Sequence, residues 1–501
     1  MKLKRYLSAI VCFAFIFSLV SCKSDDDKGG VNNNVTLKGV NSEESTGVSV
    51  KSDATSASFS VYTPVTPTVS TSESWVTATA TEPSKMNSIS LITLTLQPNE
   101  STEKRSADVM ITAAGSSITV TLTQAAGEAK EPEPTPPSDV TQALLGLKAL
   151  DIAKDIKNGW NIGNSLEVPG NETGWGNPKV NQNYIDGVKS AGFNAVRIPC
   201  AWDSYITDSD NTINPTWLDR VNEVIHMVVD NEMYAIVNIH WDGGWLENNI
   251  GNASKPELLE KQKTLWTQIA KRLAHFNERL LFAGLNEPNA DNAASTSALL
   301  EYEQAFVDAV RATGGNNSVR TLVFQGPNTD IENTYKYMTS IPKDPAGDGY
   351  LMAEVHYYTP YQFCLMEKDE SWGKVAWFWG KDYHVEGSDR NATWGEEDEM
   401  KKLFGYMKEQ FVDKGIPVVL GEYGAYPNEH LVSLQTAADK EQIVKSREFF
   451  YNCVQKFGKE KGLIPFVWDT GEIINRNNGA VKNQGLLDAI LSGANASVYP
   501  Y

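Results

Sequence analysis

Leu280-Leu-Phe-Ala-Gly-Leu-Asn-Glu-Pro-Asn289 begins as an unbroken apolar run and ends in polar residues. A short apolar run without alternation is the pattern of a strand buried on both faces. Pro288 has no N–H to give a sheet ladder, so the strand has to stop there. Glu287 therefore stands at the end of a buried strand, where an isolated charge is costly to desolvate. Taken alone, a Glu-Pro at such a place is a surface cap as readily as a functional group. The rest of the chain decides between the two.

Working outward, the same kind of run recurs. Gly159-Trp-Asn-Ile-Gly163, Ala195-Val-Arg-Ile198 and Tyr234-Ala-Ile-Val-Asn-Ile239 precede it; Thr321-Leu-Val-Phe324, Leu351-Met-Ala-Glu-Val355, Ile416-Pro-Val-Val-Leu420 and Leu463-Ile-Pro-Phe-Val-Trp468 follow it. Between them lie amphipathic stretches at 184–190, 217–231, 256–276 and 298–313, and a helix-like segment at 140–156 leads in. Eight strands alternating with helices predict an α/β fold, a (β/α)8 TIM barrel over residues 140–501. A doubly wound open sheet is the alternative, but no Gly-rich phosphate loop follows the first strand. In a barrel the site lies at the C-terminal strand ends. Those ends carry Asn161, Arg197, Asn238, His240, Trp241, Asn286, Glu287, His356, Tyr358, Glu422, Trp468 and Asp469. Two carboxylates facing each other across a cleft are the minimum apparatus for cleaving a glycosidic bond. One has to be protonated and the other ionised, which requires different surroundings.

The totals fit that reading. With 501 residues the chain is too long for one core, so two or more domains are expected. A net charge of −19 excludes nucleic acid as a partner. The 13 Trp residues offer apolar platforms for sugar rings. Cys200, Cys364 and Cys453 read as buried thiols, because the spacing of the five cysteines fits neither a disulfide framework nor a zinc motif. No metal-ligand spacing is visible, and the chemistry calls for neither metal nor cofactor.

The chain opens with a basic Met1-Lys-Leu-Lys-Arg5 and an apolar run ending in Leu19-Val20-Ser21-Cys22. Residues 1–21 read as a signal peptide. The ending resembles a bacterial lipobox, which implies cleavage before Cys22, lipidation of its thiol and membrane attachment through that lipid. The acidic stretch after it, within a tether at 22–34, resembles the surface-export signal of Bacteroidetes lipoproteins, which implies an outward-facing place on the outer membrane. Residues 35–126 turn to Ser, Thr and Val with period-two alternation, as in Ser90-Leu-Ile-Thr-Leu-Thr-Leu96 and Ser117-Ile-Thr-Val-Thr-Leu-Thr123. They predict a small all-β, immunoglobulin-like sandwich. Trp75, the Arg105-Ser-Ala-Asp-Val109 strand and Val120-Thr-Leu-Thr-Gln124 resemble a BACON module. The name implies glycan binding, but Trp75 reads better as core and the module as a spacer. The Pro- and Glu-rich stretch at 127–139 is a linker.

Seven ordered stretches carry a further resemblance: Gly159-Trp-Asn-Ile-Gly-Asn-Ser-Leu-Glu167, Asn194-Ala-Val-Arg-Ile-Pro199, Asn238-Ile-His-Trp241, Leu285-Asn-Glu-Pro288, Val355-His-Tyr-Tyr358, Leu420-Gly-Glu-Tyr-Gly424 and Val467-Trp-Asp469. Together they resemble glycoside hydrolase family 5, retaining enzymes built on this barrel. The resemblance implies that Glu287 is the general acid/base and Glu422 the nucleophile, with carboxyl groups about 5–5.5 Å apart. It implies that Asn286 binds the sugar 2-hydroxyl, that Arg197 and Tyr358 hold Glu422, that His240 and His356 line the central subsite and that Trp468 floors it. Asn161 would support these groups, and Trp245 would be a further platform. Glu167, Glu354 and Asp469 would support their neighbours. The first and last motifs look most like subfamily 4, which implies a plant β-1,4-glucan as substrate, with xyloglucan first. A cellulase or mixed-linkage glucanase, a β-mannanase and a non-catalytic surface glycan-binding protein remain open. The long stretch at 359–394, rich in Trp, would wall the cleft, and a single chain would suffice.

Overall fold

The computed structural model describes residues 36–38, 47–85, 88–127, 139–427 and 437–501. The expected signal segment, Cys22 with its tether, and most of the expected linker lie outside the described residues. The chain divides into two units, Met1–Pro134 and Thr135–Tyr501.

The first unit contains β1 (Thr36–Lys38), β2 (Gly47–Val50), β3 (Ser56–Tyr62), β4 (Thr68–Thr71), β5 (Val76–Ala80), β6 (Ile89–Leu96), β7 (Arg105–Ala113) and β8 (Ser116–Gln124). They form two four-stranded sheets, ordered β1-β3-β6-β5 and β2-β8-β7-β4. Alternation explains the sandwich. In β7, Ala107, Val109, Ile111 and Ala113 turn inward while Ser106, Asp108 and Met110 face out. They meet Phe59, Val61, Ile92, Leu94, Val120 and Leu122 in one core drawn from both sheets. Trp75 belongs to that core, with the Arg105 guanidinium 4.2 Å from its ring centroid.

In the second unit, β9 (Gly159–Ile162), β10 (Ala195–Ile198), β11 (Tyr234–Asn238), β12 (Leu280–Ala283), β13 (Leu322–Gln325), β14 (Leu351–Tyr357), β15 (Val418–Tyr423) and β16 (Leu463–Asp469) close into a parallel barrel. Helices α2 (Gln182–Ser190), α3 (Pro215–Val229), α4 (Pro256–Arg272) and α5 (Ala293–Ala312) follow the first four strands in turn. Two strands run further than their apolar runs suggest. β14 reaches Tyr357 and β15 reaches Tyr423, each across a register shift, at Val355/His356 and between Leu420 and Tyr423. His356 and Glu422 thus sit on the barrel wall, paired in register.

The lead-in segment departs from expectation. Only Ala149–Asp155 is helical (α1), and residues 139–148 before it form no regular secondary structure. The Glu278 carboxylate accepts the N–H groups of Leu145, Gly146 and Leu147, and Gly146 has φ +75°. Those N–H groups are spent on a side chain, so no helix can form there. α1 then packs Ala149, Ile152 and Ala153 against Ala195, Tyr234 and Leu281 near the strand starts, closing the N-terminal mouth of the barrel.

Candidate active site

The C-terminal ends of the strands deliver most of the expected side chains to one place. Arg197, on β10, is fully buried and organises them. Its Nη1 donates to Glu422 Oε1 at 2.8 Å and to Asn161 Oδ1 at 3.1 Å, its Nη2 donates to Asn286 Oδ1 at 2.8 Å, and its Nε lies 2.9 Å from Glu354 Oε1. Asn161 in turn donates to the carbonyl of Gly421 at 2.8 Å, tying β9 to β15. Asn161 is itself fully buried, which makes it a support for Arg197 and the wall.

Glu422 also accepts from the Tyr358 hydroxyl at 3.0 Å. Its side chain is 7 % exposed, whereas that of Glu287 is 42 % exposed. His356 lies between the two: Nδ1 donates to Glu287 Oε1 at 2.8 Å and is 3.8 Å from Glu422 Oε2, while Nε2 is 3.3 Å from Glu354 Oε1. One oxygen of each glutamate and the His356 nitrogen all fall within 4.8 Å of one another. That close approach of the two carboxylates is compatible with a retaining pair, whose carboxyl groups stand about 5–5.5 Å apart.

Charge explains the protonation states. Burial disfavours the imidazolium of His356, but Glu422, Glu287 and Glu354 outweigh it and raise its pKa to about 10. His356 is therefore charged at neutral pH. Burial pushes Glu287 up, yet the hydrogen bond and charge of His356, with Arg197, hold it below its ordinary value. Burial also pushes Glu422 up, and there it prevails over His356, Arg197 and the Tyr358 hydroxyl. The free site thus stores a proton on His356, one hydrogen bond from Glu287. His240 is the opposite case: burial and the charges of Arg197 and His356 hold its pKa well below the ordinary value, so it is neutral. Its ring lies 5.8 Å from that of Trp468, nearly parallel at 14°.

Several supporting residues are not visible in the strand pattern. Glu247, from the loop after β11, accepts the backbone N–H of Glu287 at 3.0 Å and fixes the turn that presents it. Gln325 takes the N–H of Leu285 at 2.7 Å and donates to Glu354 at 2.6 Å. Both act through backbone or buried contacts that no sequence motif marks. Glu354 touches Arg197, His356 and Gln325, and Asp469 accepts the N–H groups of Gly471, Glu472 and Ile473. Glu167 likewise accepts the N–H groups of Asn164 and Ser165. Gly421 is required by the same crowding, because a Cβ there would lie 2.0 Å from Glu354 Oε1.

The aromatic residues divide. Trp245 is half-buried, with Nε1 donating to Asp242 at 3.2 Å and Lys261 4.5 Å from its ring centroid; Trp241 is the more exposed of the two. In the stretch at 359–394, Phe363, Trp377, Phe378 and Trp379 are buried, Phe363 and Trp379 against Phe450 and Trp377 and Phe378 in a cluster with Ile443, so they pack the segment onto the barrel. Only Tyr361, Trp372 and Trp394 present rings outward. A cavity of about 760 Å³ runs from Tyr358 and Trp468 to Leu365, Glu367 and Lys368 of this segment, and to Tyr426 and Pro427.

Comparison with known proteins places this geometry. Residues 159–472 match the cellulase model of glycosyl hydrolase family 5, and residues 65–125 match the BACON model. The chain is 31 % identical to a xyloglucan-specific endo-β-1,4-glucanase of Bacteroides ovatus over 98 % of this chain and 97 % of that one. Among solved structures, a family 5 xyloglucan-specific β-1,4-glucanase from a ruminal metagenomic library, in complex with XXLG, is 38 % identical with a TM-score of 0.65, covering 71 % of this chain and 98 % of that chain. A broad-specificity endoglucanase of subfamily 4 from Clostridium cellulovorans is 27 % identical with a TM-score of 0.59, covering 71 % and 99 %.

Proposed function

Because this chain belongs to glycosyl hydrolase family 5 and is an endo-β-1,4-glucanase, we propose that it cleaves xyloglucan by double displacement, with Glu422 as nucleophile and Glu287 as general acid/base. The observation that carries the mechanism is the pair itself: one buried carboxylate and one more exposed carboxylate, with His356 between them and one oxygen of each within 4.8 Å of the other. Glu422 attacks the anomeric carbon as the bond to the leaving sugar oxygen breaks, and Glu287 gives that oxygen its proton. Glu287 then takes a proton from water, whose oxygen displaces Glu422 and leaves the configuration retained. His356 supplies the proton that Glu287 needs, and binding of a sugar in place of water favours that transfer by desolvating the carboxylate. Arg197 keeps Glu422 oriented and lowers the cost of its charge. Asn286, held by Arg197, is placed to bind the 2-hydroxyl, and neutral His240 with Trp468 to line the central subsite.

Two features support xyloglucan over an unbranched glucan: the relatives named for it, and the broad cavity beside Tyr358 and Trp468, which leaves room for branches. A broader β-glucan preference is the second reading, favoured by the broad-specificity neighbour. The lipobox-like segment ending at Cys22 supports a lipid-anchored enzyme on the cell surface, where a polymer too large to import would be cut. Both carboxylates come from one barrel, so a monomer suffices. The test is initial rates on xyloglucan, mixed-linkage β-glucan, carboxymethyl cellulose and β-mannan, with Glu422→Ala as control. Fastest cleavage of xyloglucan to xylosylated oligosaccharides is expected. Equal rates on unbranched glucans would broaden the substrate, and cleavage of mannan alone would overturn it.

A further inference from the structure

A second cluster of ligating side chains lies at the opposite end of the barrel. His226 is in the last turn of α3 and His275 lies between α4 and β12, so both sit at the N-terminal ends of the strands, away from the carboxylate pair. Both imidazoles are buried. Their Nε2 atoms face each other at 3.3 Å, and Asp139 Oδ1 is 3.5 Å from that of His275. The three ligand atoms lie within 4.8 Å of one another. Two imidazole nitrogens on a tetrahedral zinc, each bonded at about 2.0–2.1 Å, stand roughly 3.3–3.4 Å apart. The spacing is therefore that of two ligands sharing one ion.

The surroundings are built to match. His226 Nδ1 is paired with Asp230 Oδ2 at 2.9 Å, the carboxylate–histidine arrangement that points the other ring nitrogen at a metal. Phe276 packs against both imidazoles, with ring centroids at 4.5 and 4.2 Å. The strap carrying Asp139 is tied in place, because the N–H of Gln142 donates to the His275 carbonyl at 2.7 Å. A surface recess lined by Asp139, Asp219, Arg272 and His275 gives access for an ion and for a water as fourth ligand. Arg272 opposes a cation, since its Nη1 is 3.2 Å from Asp139 Oδ1, but its Nε is paired with Asp219 at 2.9 Å. Lys271 lines the same recess, and Asp139, Asp219 and Asp230 set three carboxylates against these two cations.

We propose that Asp139, His226 and His275 form a binding site for one divalent transition-metal ion of the zinc type. The ion clamps the strap that leads into the barrel onto the ends of α3 and α4. It takes no part in hydrolysis. Without the ion, one imidazole donates to the other; with it, both nitrogens turn their lone pairs to the metal.

The test uses the untagged full chain, stripped with chelator and titrated with Zn²⁺ against a chromogenic competitor, and with Co²⁺ read by its visible bands. One Zn²⁺ per chain, the strong bands of tetrahedral Co²⁺ and a rise in unfolding midpoint with Zn²⁺ are expected. Asp230→Asn should weaken binding by about 10–100-fold, and His275→Gln or Asp139→Asn by at least as much. Should His275→Gln fail to fold, Asp139→Asn, at an exposed residue, decides alone. Glu287→Gln should leave the affinity unchanged, which separates this cluster from the one formed by Glu287, His356 and Glu422. No uptake by the wild-type chain, uptake indifferent to Asp139→Asn and Asp230→Asn, or uptake lost in Glu287→Gln would overturn the proposal.

Discussion

Glu422 is held from two sides, by the Arg197 guanidinium and by the Tyr358 hydroxyl at 3.0 Å. The two supports differ in what their loss should do. Removing Arg197 leaves Glu354 and Glu422 buried with His356 as the cation still beside them, a change of up to roughly 3–5 kcal/mol that acts on folding as well as on rate. Tyr358→Phe removes one hydrogen bond to a charged oxygen, worth about 1.5–3 kcal/mol. It should lower kcat by about 10–100-fold, with KM and unfolding midpoint little changed. Steady-state kinetics on a soluble glucan checks this, and an unaltered kcat would mean that the hydroxyl does not serve the nucleophile. Glu287 and Glu422 were legible because each carboxylate interrupts a buried apolar pattern at a strand end. Glu247 was not, because it lies in a loop and its partner is a backbone N–H, which leaves no trace in side-chain pattern.

At the scale of elements, the barrel was readable because its strands are buried on both faces and appear as apolar runs. Where the pattern failed, a specific tertiary contact intervened. Residues 140–148 carry a helix-like pattern, yet Glu278 takes three of their N–H groups and draws them into a strap. A carboxylate more than a hundred residues away cannot be anticipated from local periodicity. Glu278→Ala should therefore release the strap and leave those donors seeking water, at a cost of about 1–3 kcal/mol. Denaturant unfolding measures the loss, and a variant as stable as the parent would remove Glu278 from this role. The ends of β14 and β15 carry the polar residues that their place after the apolar runs led one to expect. Register shifts carry both strands past their apolar runs, so His356 and Glu422 stand on the wall at the strand ends. In the stretch at 359–394, composition did not separate the rings that pack the segment from those that face outward, since both are Trp, Phe or Tyr.

Across the whole molecule, several carboxyls are buried where desolvation outweighs the hydrogen bonds they accept. Burial raises Glu167 and Asp242 to about 7 and Glu247 and Glu303 to about 8. Folded, these groups keep a proton that the unfolded chain has lost above the ordinary carboxylate range. Their stabilisation is complete below that range and fades as pH rises through 7 to 8. His356, raised to about 10, acts in the same direction, because its contribution is present below the ordinary histidine value and disappears as pH approaches 10. His240 and His275, both held below the ordinary value, act oppositely, but only on the acidic side of about pH 6.5. From about pH 6.5 to 8.5 the unfolding midpoint of the full chain should therefore fall, and Glu303→Gln should flatten the decline. Calorimetry across that range checks the sign, and a midpoint that rises with pH would mean that these carboxyls are already ionised in the fold.

In the proposed mechanism Glu422 forms a bond to the sugar while Glu287 handles the proton. The most direct measurement is covalent trapping with an activated 2-deoxy-2-fluoro cello-oligosaccharide. The fluorine slows both steps and the good leaving group restores the first, so the glycosyl-enzyme accumulates. Mass spectrometry of the intact chain and of its peptides should find one sugar per chain, attached to Glu422. In Glu287→Ala, which lacks the proposed acid/base, the same adduct should form and persist longer. An adduct on another residue, or an active enzyme that is never labelled and releases inverted product, would contradict the account.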